Sequence, residues 1–382
     1  MPTGVGATTV VNDPSAGALD FITDPAAFFE LTEKNVYVAH TIDSEGVAGG
    51  IINRELPNAG ILAGIRILFE GTINHTIGTG TVTGAARYPH GLIRRLLLSV
   101  NAANDVYSVN GTDLAALRHI NHPGITAEDD AATFPGTLGP GAVIPDGASD
   151  LVLMWDIPIA IDPVTLIGAI YAQSSSMNLQ LRLEQAAFTT ELAVIAGDAV
   201  IDSVTGTWSI QVTSFDIPLS PGESPALIVP DLSRLHAVQA HQVNFSALGE
   251  IRSELIRGNG QLDRLLLQYA SGNPNTDTSA DAWYRTDPDL DEVDAIRLEY
   301  GSAQRPLDYN PVGFLLAENI EDYDARLPYG YMVMDLLKEN PPRDIIQMQG
   351  VTDLVAVSNL NTGAAAPAAG AHVRLVQEML IG

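Results

Sequence analysis

AGILAGIRILFEGTIN, residues Ala59 to Asn74, decides the fold. Ile61, Ala63, Ile65, Ile67 and Phe69 fall on one side of an extended chain, with Arg66 and Glu70 on the other. A period of two is that of a strand with one wet face. Gly91 to Val100 repeats it, with Leu92, Leu96, Leu98 and Val100 against Arg95 and Ser99, although Arg94 interrupts the apolar face. Leu151 to Ile161 reads as a third strand, its end placed near a sheet edge by Pro158. In a fourth, Leu179, Leu181 and Leu183 alternate with Gln180, Arg182 and Glu184. In a fifth, Trp208, Ile210 and Val212 alternate with Ser209, Gln211 and Thr213.

The same program then runs again. Strands are expected at Leu235 to Phe245, Leu262 to Ala270, Ala295 to Tyr300, Tyr329 to Leu337, Asp353 to Ser358 and His372 to Ile381. The two runs are Tyr37 to Phe215 and Leu235 to Ile381, and Pro218, Pro221, Pro225 and Pro230 crowd the stretch between them. Three short helices punctuate the strands: Asp113 to Ile120, Pro163 to Gln173 behind an Asp162 cap, and a segment through Phe314 to Asn319 opened by Asn310 and Pro311. The long excursion Asn101 to Ser149 is of a length that usually carries function. Many short strands with turn signals and few helices fit an all-β chain with a sandwich or jelly roll in each half.

At 382 residues the chain suits two domains of ordinary size. It has no cysteine, so it holds no disulfide, thiolate metal site or cysteine nucleophile. The formal charge is −27, from 19 basic and 46 acidic side chains. Met1 to Asp20 carries no basic residue. That balance argues against nucleic acid, whose phosphates need clustered Lys and Arg. Lys34 and Lys338 are the only lysines; either fixed bidentate contacts at interfaces or the base composition of the coding sequence accounts for the arginine bias. No signal-like n-region and no apolar run of bilayer length occur, which reads as synthesis in the cytoplasm without a cleaved leader.

The order and spacing of several stretches resemble the double jelly-roll major coat proteins of the tectivirus and adenovirus-hexon lineage. They are Asn58 to Arg66, Pro89 to Arg95, Leu166 to Ile170 followed by Leu179 to Glu184, then Pro230 to Leu235 and Leu265 to Ala270. No one stretch is specific; their collinear order from about residue 35 to the C-terminus carries the likeness. The resemblance implies two tandem eight-stranded jelly rolls, residues 31–225 and 226–382, behind an N-terminal arm of residues 1–30. It also implies homotrimers of pseudo-hexagonal outline, strands standing across an icosahedral shell and long loops forming outward towers. The implied partners are neighbouring capsomers, minor capsid or vertex proteins and an internal lipid membrane, in a virion built from protein made in the host cytoplasm. Residues 1–24, with Gly4, Gly6, Pro14 and Gly17, depart from the family's use of an N-terminal helix for inner contacts.

Catalytic signatures are missing. Gly78 to Gly84 has the wrong spacing for a dinucleotide fingerprint and reads as a hairpin or strand-connecting loop. There is no Walker loop, nucleophile elbow or His-Glu-x-x-His. His119, His122, Asp129 and Asp130 are candidate metal ligands without a structured third partner. His236 and His241, at odd spacing on a strand, cannot share a face. Asp287, Asp289 and Asp291 begin like a calcium loop, but Glu292 and Leu298 stand where Gly and Glu are needed; a cation at a subunit contact stays open against a solvated acidic loop. Glu321, Asp322 and Asp324 are explained by helix-end solvation better than by glycosidase chemistry. Three glycosylation patterns start at Asn74, Asn110 and Asn244. The reading is therefore a coat protein with no catalytic, cofactor or metal residues assigned. Its alternatives are an acidic surface-layer or tail-fibre protein and a carbohydrate-active β-sandwich, for which Trp283, Tyr284, Tyr329 and Tyr331 are the best aromatic cluster.

Overall fold

The computed structural model describes residues 32–45, 48–76, 78–101, 104–122, 140–162, 165–173, 177–216, 232–256, 260–276, 283, 292–301, 304–323, 327–336, 346–348, 351, 353–364 and 366–382. The N-terminal arm, the proline-rich join and the acidic stretch Asp287 to Asp291 lie outside them. The first half contains β1 (Glu33–Glu45), β2 (Gly50–Glu55), β3 (Ile61–Thr76), β4 (Thr81–Gly84), β5 (Ile93–Val100), β6 (Asn104–Val109), α1 (Gly111–Asn121), β7 (Gly147–Pro158), β8 (Ile170–Tyr171), β9 (Leu179–Gln185), β10 (Ala193–Ala196) and β11 (Val200–Asp216). The second contains β12 (Leu235–Asn244), β13 (Gly249–Glu254), β14 (Gly260–Ala270), β15 (Val293–Tyr300), β16 (Gln304–Tyr309), α2 (Gly313–Tyr323), β17 (Tyr331–Asp335), β18 (Ile346–Gln347), β19 (Leu354–Leu360) and β20 (His372–Ile381).

Without the short β4, β8, β10 and β18, each half has eight strands among the described residues. Numbered one to eight within its half, each set forms the orders 1-8-3-6 and 2-7-4-5. These are β1-β11-β3-β7 and β2-β9-β5-β6, then β12-β20-β14-β17 and β13-β19-β15-β16. That is a jelly roll, made twice. The halves fuse where β6 and β12 pair in parallel, Tyr107 beside Val238 and Ser108 beside Gln239, making one nine-stranded sheet.

The repeat extends to irregularities. Ala63 and Asp263 are each the extra residue of a bulge on strand three. Arg94 and Asp294 are each the extra residue on strand four. The members of each pair stand 200 positions apart. Just beyond Leu98–Tyr107 and Leu298–Leu307 the ladder between strands four and five slips in both halves. His40 Nε2 lies 2.8 Å from Glu55 O, and His241 Nε2 lies 2.8 Å from Glu254 O. One backbone plan thus carries two different side-chain sets.

The first core holds Ile65, Leu96, Leu181 and Ile210, as expected, around Trp155 and Trp208, stacked at 5.7 Å. Phe69 packs on Trp208 at 4.7 Å. Its ring lies over Gly71 and Gly206, which face each other across the ladder; a Cβ at either would meet it at 2.6 or 2.5 Å. These glycines make room for the aromatic centre.

Several expectations are corrected. The bulge at Ala63 breaks the face expected for β3: Leu62 joins Ile65 in the main core, while Ile61 turns to Leu166, Ala169 and Phe215. Arg94 interrupts its apolar run because it is the bulge residue, displaced outward toward Glu184 and Glu191. No helix forms between Asp162 and Gln173 among the described residues. Asp162 instead accepts from Thr165 N and Oγ1, and Leu166 and Gly168 sit at φ 54° and 89°, left-handed values that end a helix. β6 occupies part of the excursion read as loop.

Candidate assembly surfaces

The line where the halves meet is a built interface. α1 begins at Asn110, whose side chain accepts from Asp113 N at 2.8 Å while Asp113 Oδ2 accepts from Asn110 N at 2.7 Å. This capping box satisfies two helix-end donors. The same Asp113 carboxylate, fully buried, accepts from Arg374 Nε and Nη2 at 2.7 and 2.5 Å and from Tyr331 Oη at 2.5 Å. Arg374 and Tyr331 belong to β20 and β17, so the cap of a first-half helix is also the anchor of the second half.

A second cluster lies along the seam. Glu378 accepts from Arg264 Nη1 at 3.1 Å and lies 2.8 Å from His236 Nε2. Arg264 also donates to Asp335 and to Asn121 at the end of α1. His236 Nδ1 faces Pro158 O at 2.7 Å and the Tyr107 hydroxyl at 2.8 Å, both first-half groups. Tyr107 donates to Pro158 O as well. Gly168 fits at φ 89° because a Cβ there would lie 2.6 Å from the His236 Cβ. Burial alone would raise the Glu378 carboxyl, but Arg264 and His236 outweigh it and hold it at about 2. Asp263, the bulge residue, is fully buried with no hydrogen-bond partner on either carboxylate oxygen. Burial first and the charge of Glu378 second push it up to about 7. Tyr329, at φ 58°, ties the halves at a further point: its hydroxyl lies 2.7 Å from His90 Nδ1 and its carbonyl accepts from Gln268. A bulky residue there is a conformational outlier, over-determined by contacts to both halves.

The candidate residues read from the sequence are absorbed by this architecture or lie apart from it. His119 is buried within α1 and His122 is exposed just beyond it, while Asp129 and Asp130 lie outside the described residues. His236 and His241 take opposite faces: one meets the first half, the other its own β13. Asn110 is the buried helix cap, not an accessible sequon. Gly78 to Gly84 leads into β4, which pairs with β10. Trp283 is buried beside Ala270 and Tyr329, so it does not form an exposed aromatic platform; Tyr284 is outside the described residues. Glu321 and Asp322 sit on the last turn of α2, and Asp324 is outside the described residues. No group of three or more His, Asp or Glu in metal-binding geometry occurs among the described residues, and no described helix is long and apolar enough to cross a membrane. The seam network has no counterpart among the sequence motifs. Its one sequence signal is the density of polar residues in β20, where His372, Arg374, Gln377 and Glu378 interrupt an otherwise apolar strand.

The open surfaces contrast with the seam. Among the described residues β1 is an edge strand whose Val36 and Val38 face solvent. α2 packs Leu315 into the core of its own half, ties Asn319 and Tyr323 to β17, with the Tyr323 ring reaching the first core, and leaves Phe314 and Ile320 exposed. Asn319 locks it to β17 by donating to Val333 O and accepting from Val333 N.

No protein-family model matches the sequence, and neither does any curated relative. Solved structures do match. The STIV MCP, from Sulfolobus turreted icosahedral virus, aligns with a TM-score of 0.65 at 17% identity, over 91% of this chain and 97% of its own. VP54 of PBCV-1 aligns at 0.57 and 10%, over 91% and 94%. The major capsid protein P2 of bacteriophage PM2 aligns at 0.51 and 10%, over 91% and 97%. With the strand order repeated in both halves and nearly full coverage of each of these chains, the protein has the double jelly-roll fold found in these viral major capsid proteins.

Proposed function

We propose that this chain is the major coat protein of an icosahedral virus, acting by assembly and not by turnover. The observation that carries the reading is the doubled 1-8-3-6 and 2-7-4-5 order, with the halves fused side by side into one sheet. Two equivalent units per chain supply two sides of a hexagonal outline, so three chains complete it. A repeated head-to-tail contact of that kind must close into a ring or run on as a filament. The units are residues 31–225 and 226–382, with residues 1–30 as an arm. The capsomer's partners are neighbouring capsomers, minor or vertex proteins and an inner lipid layer. A charge of −27 per copy supports contact with protein and not with packaged nucleic acid.

The same charge gives the test its shape. Like-charged subunits repel, and the repulsion is screened over about 10 Å at 0.1 M salt. Light scattering behind a sizing column, run across a salt series, is expected to give a species of three times 40.5 kDa that strengthens as salt rises. A monomer at every salt and protein concentration would overturn the reading.

A further inference from the structure

The two halves share a plan but not an environment. Sheet 1-8-3-6 of the second half is buried on both faces. Leu265, Leu267, Val373 and Leu375 point into its own core, while Val238, Leu266, Val333 and Val376 belong to the core of the first half. Its counterpart in the first half is covered on the inner face alone among the described residues, and its outer positions Val36 and Val38 are 51% and 52% exposed. The helices differ in the complementary way. Each connects strand five to strand six of its half. α1 is buried from Gly111 to Ile120, held between its own half and second-half groups such as Tyr331 and Arg374. α2 leaves Phe314 62% and Ile320 43% exposed, with Ala317 between them on the same face. One chain therefore carries both sides of a seam that its own two halves cannot close.

The register fixes how the sides fit. The row Val238–Glu378–Arg264 is the first beyond the bulge at Asp263, and the row Val36–Thr213–Gly64 is the first beyond the bulge at Ala63. Val36 therefore holds the place of Val238. On the other side, Leu307 pairs with Leu298 where Tyr107 pairs with Leu98, at the last pair before each ladder slips. Within the chain Tyr107 lies beside Val238 and Ser108 beside Gln239. We infer that β16 of one copy pairs in parallel with β1 of a second copy, Leu307 beside Val36 and Asp308 beside Tyr37. The Phe314–Ala317–Ile320 face of α2 then lies on the outer face of the neighbour's first half. This rests on the reading of the chain as a self-assembling subunit and specifies its contact. The occupant is a second copy because the seam already built inside the chain is the same joint made covalently continuous. The open face mixes Val36, Val38, Leu68 and Met154 with Ser209, Gln211 and Thr213. Such a mixture keeps a face soluble before it is covered.

The absence of cysteine makes the test clean. Directly paired residues of neighbouring strands come within the Cα separation of about 4.4–6.8 Å that a disulfide spans. Under mild oxidation the double variant Val36→Cys/Leu307→Cys is expected to form covalent trimers on a non-reducing gel. An equimolar mixture of the two single variants should form covalent dimers, and neither single variant alone should cross-link. The second pair, Tyr37→Cys with Asp308→Cys, repeats the test at exposed or half-exposed positions in case the first perturbs folding. Light scattering on the same samples separates the two ways to fail. Oligomers that do not cross-link at either pair would overturn this contact and leave the coat-protein reading standing. Cross-linking by Val36→Cys alone would also overturn it, since that requires a two-fold contact. Monomers throughout would overturn both.

Discussion

β11 and β20 are the same strand of the same plan, one in each half, yet they obey different rules. β11 alternates: Trp208, Ile210 and Val212 are buried, while Ser209, Gln211 and Thr213 are half-exposed. β20 is buried on both faces almost throughout, and its seam-facing residues include Arg374 and Glu378. The difference teaches that burial here is set by the neighbouring unit and not by the strand. Where a neighbour is permanently attached, the outer face can hold charges, because their partners, Asp113 and Arg264, are delivered by the same chain. On the face of the inferred contact, where a neighbour would arrive from solution, hydroxyls and amides take those places. An unpaired buried charge costs several kcal/mol, whereas an exposed serine costs almost nothing.

The largest expected effect breaks that contrast at a single matched position. Ser209 pairs with Leu68 as Arg374 pairs with Gln268. Arg374→Met removes the bidentate partner of a fully buried Asp113 and should cost about 3–5 kcal/mol in chemical denaturation. Ser209→Ala should stay within about 0.5 kcal/mol. Adding Asp113→Asn to Arg374→Met should recover part of the loss, since no uncompensated charge then remains. Equal effects of the two single substitutions would dissolve the distinction between the seam and the open face.

The bulge supplies the next comparison, since Ala63 and Asp263 hold the same place. An acid raised to about 7 in the folded chain is protonated there while the unfolded chain has already ionised. Its contribution to stability therefore falls as pH rises from about 4 to about 7, and the full burden remains above that. The groups facing it are Glu378 and Asp335, which oppose its ionisation, and His236 and Arg264, which favour it. The burden is on the order of 4 kcal/mol at ~1.4 kcal/mol per pH unit, less about 1–3 for the unpaired amide that Asn would leave. Asp263→Asn should thus raise the melting temperature at pH 8, with the gain vanishing near pH 4. His90 and His372, lowered to about 4 mainly by burial, act in the opposite sense. They favour the folded state above about 6.5 and withdraw that support as pH falls toward 4. The wild-type profile therefore mixes both signs, while the difference between it and Asp263→Asn isolates the aspartate. A pH-independent difference would mean that Asp263 does not titrate in this range.

How much of this the sequence disclosed follows the same division. Alternation found β3, β5, β9 and β11, whose wet faces are polar, and the boundaries of β20 are those expected, His372 to Ile381. It missed β2 and β13, short strands with much exposed surface, because a strand without a clear apolar face has no period to read. β16 was missed because Pro306 stands inside it, a residue that argues against a strand. Ile61 was assigned to the wrong face because a bulge shifts the period by one residue, and nothing in Ala63 announces a bulge. Arg94 did announce one, as a charge in an apolar register. The seam was illegible for a different reason: Asp113 reads as an ordinary helix-start acid, and its partner Arg374 lies 261 positions away. Only the folded repeat brings the cap and the cation together.

The smallest effect on folding is expected where the inferred contact is strongest. Phe314 stands on α2 at the surface of the isolated chain, whereas Leu114 on α1, 200 positions earlier, is fully buried in the first core. Leu114→Ala should cost about 2–5 kcal/mol, the range for emptying a packed site. Phe314→Ser should change monomer stability by no more than about 0.5 kcal/mol. The same substitution should weaken self-association, because a large exposed aromatic repays its cost of exposure only when a partner covers it. Melting measured at low protein concentration and light scattering at high concentration read the two quantities separately. If Phe314→Ser lowered the melting temperature of the monomer as much as Leu114→Ala did, α2 would be covered within its own chain. The two helices would then be equivalent in environment as well as in plan, and the open seam would disappear.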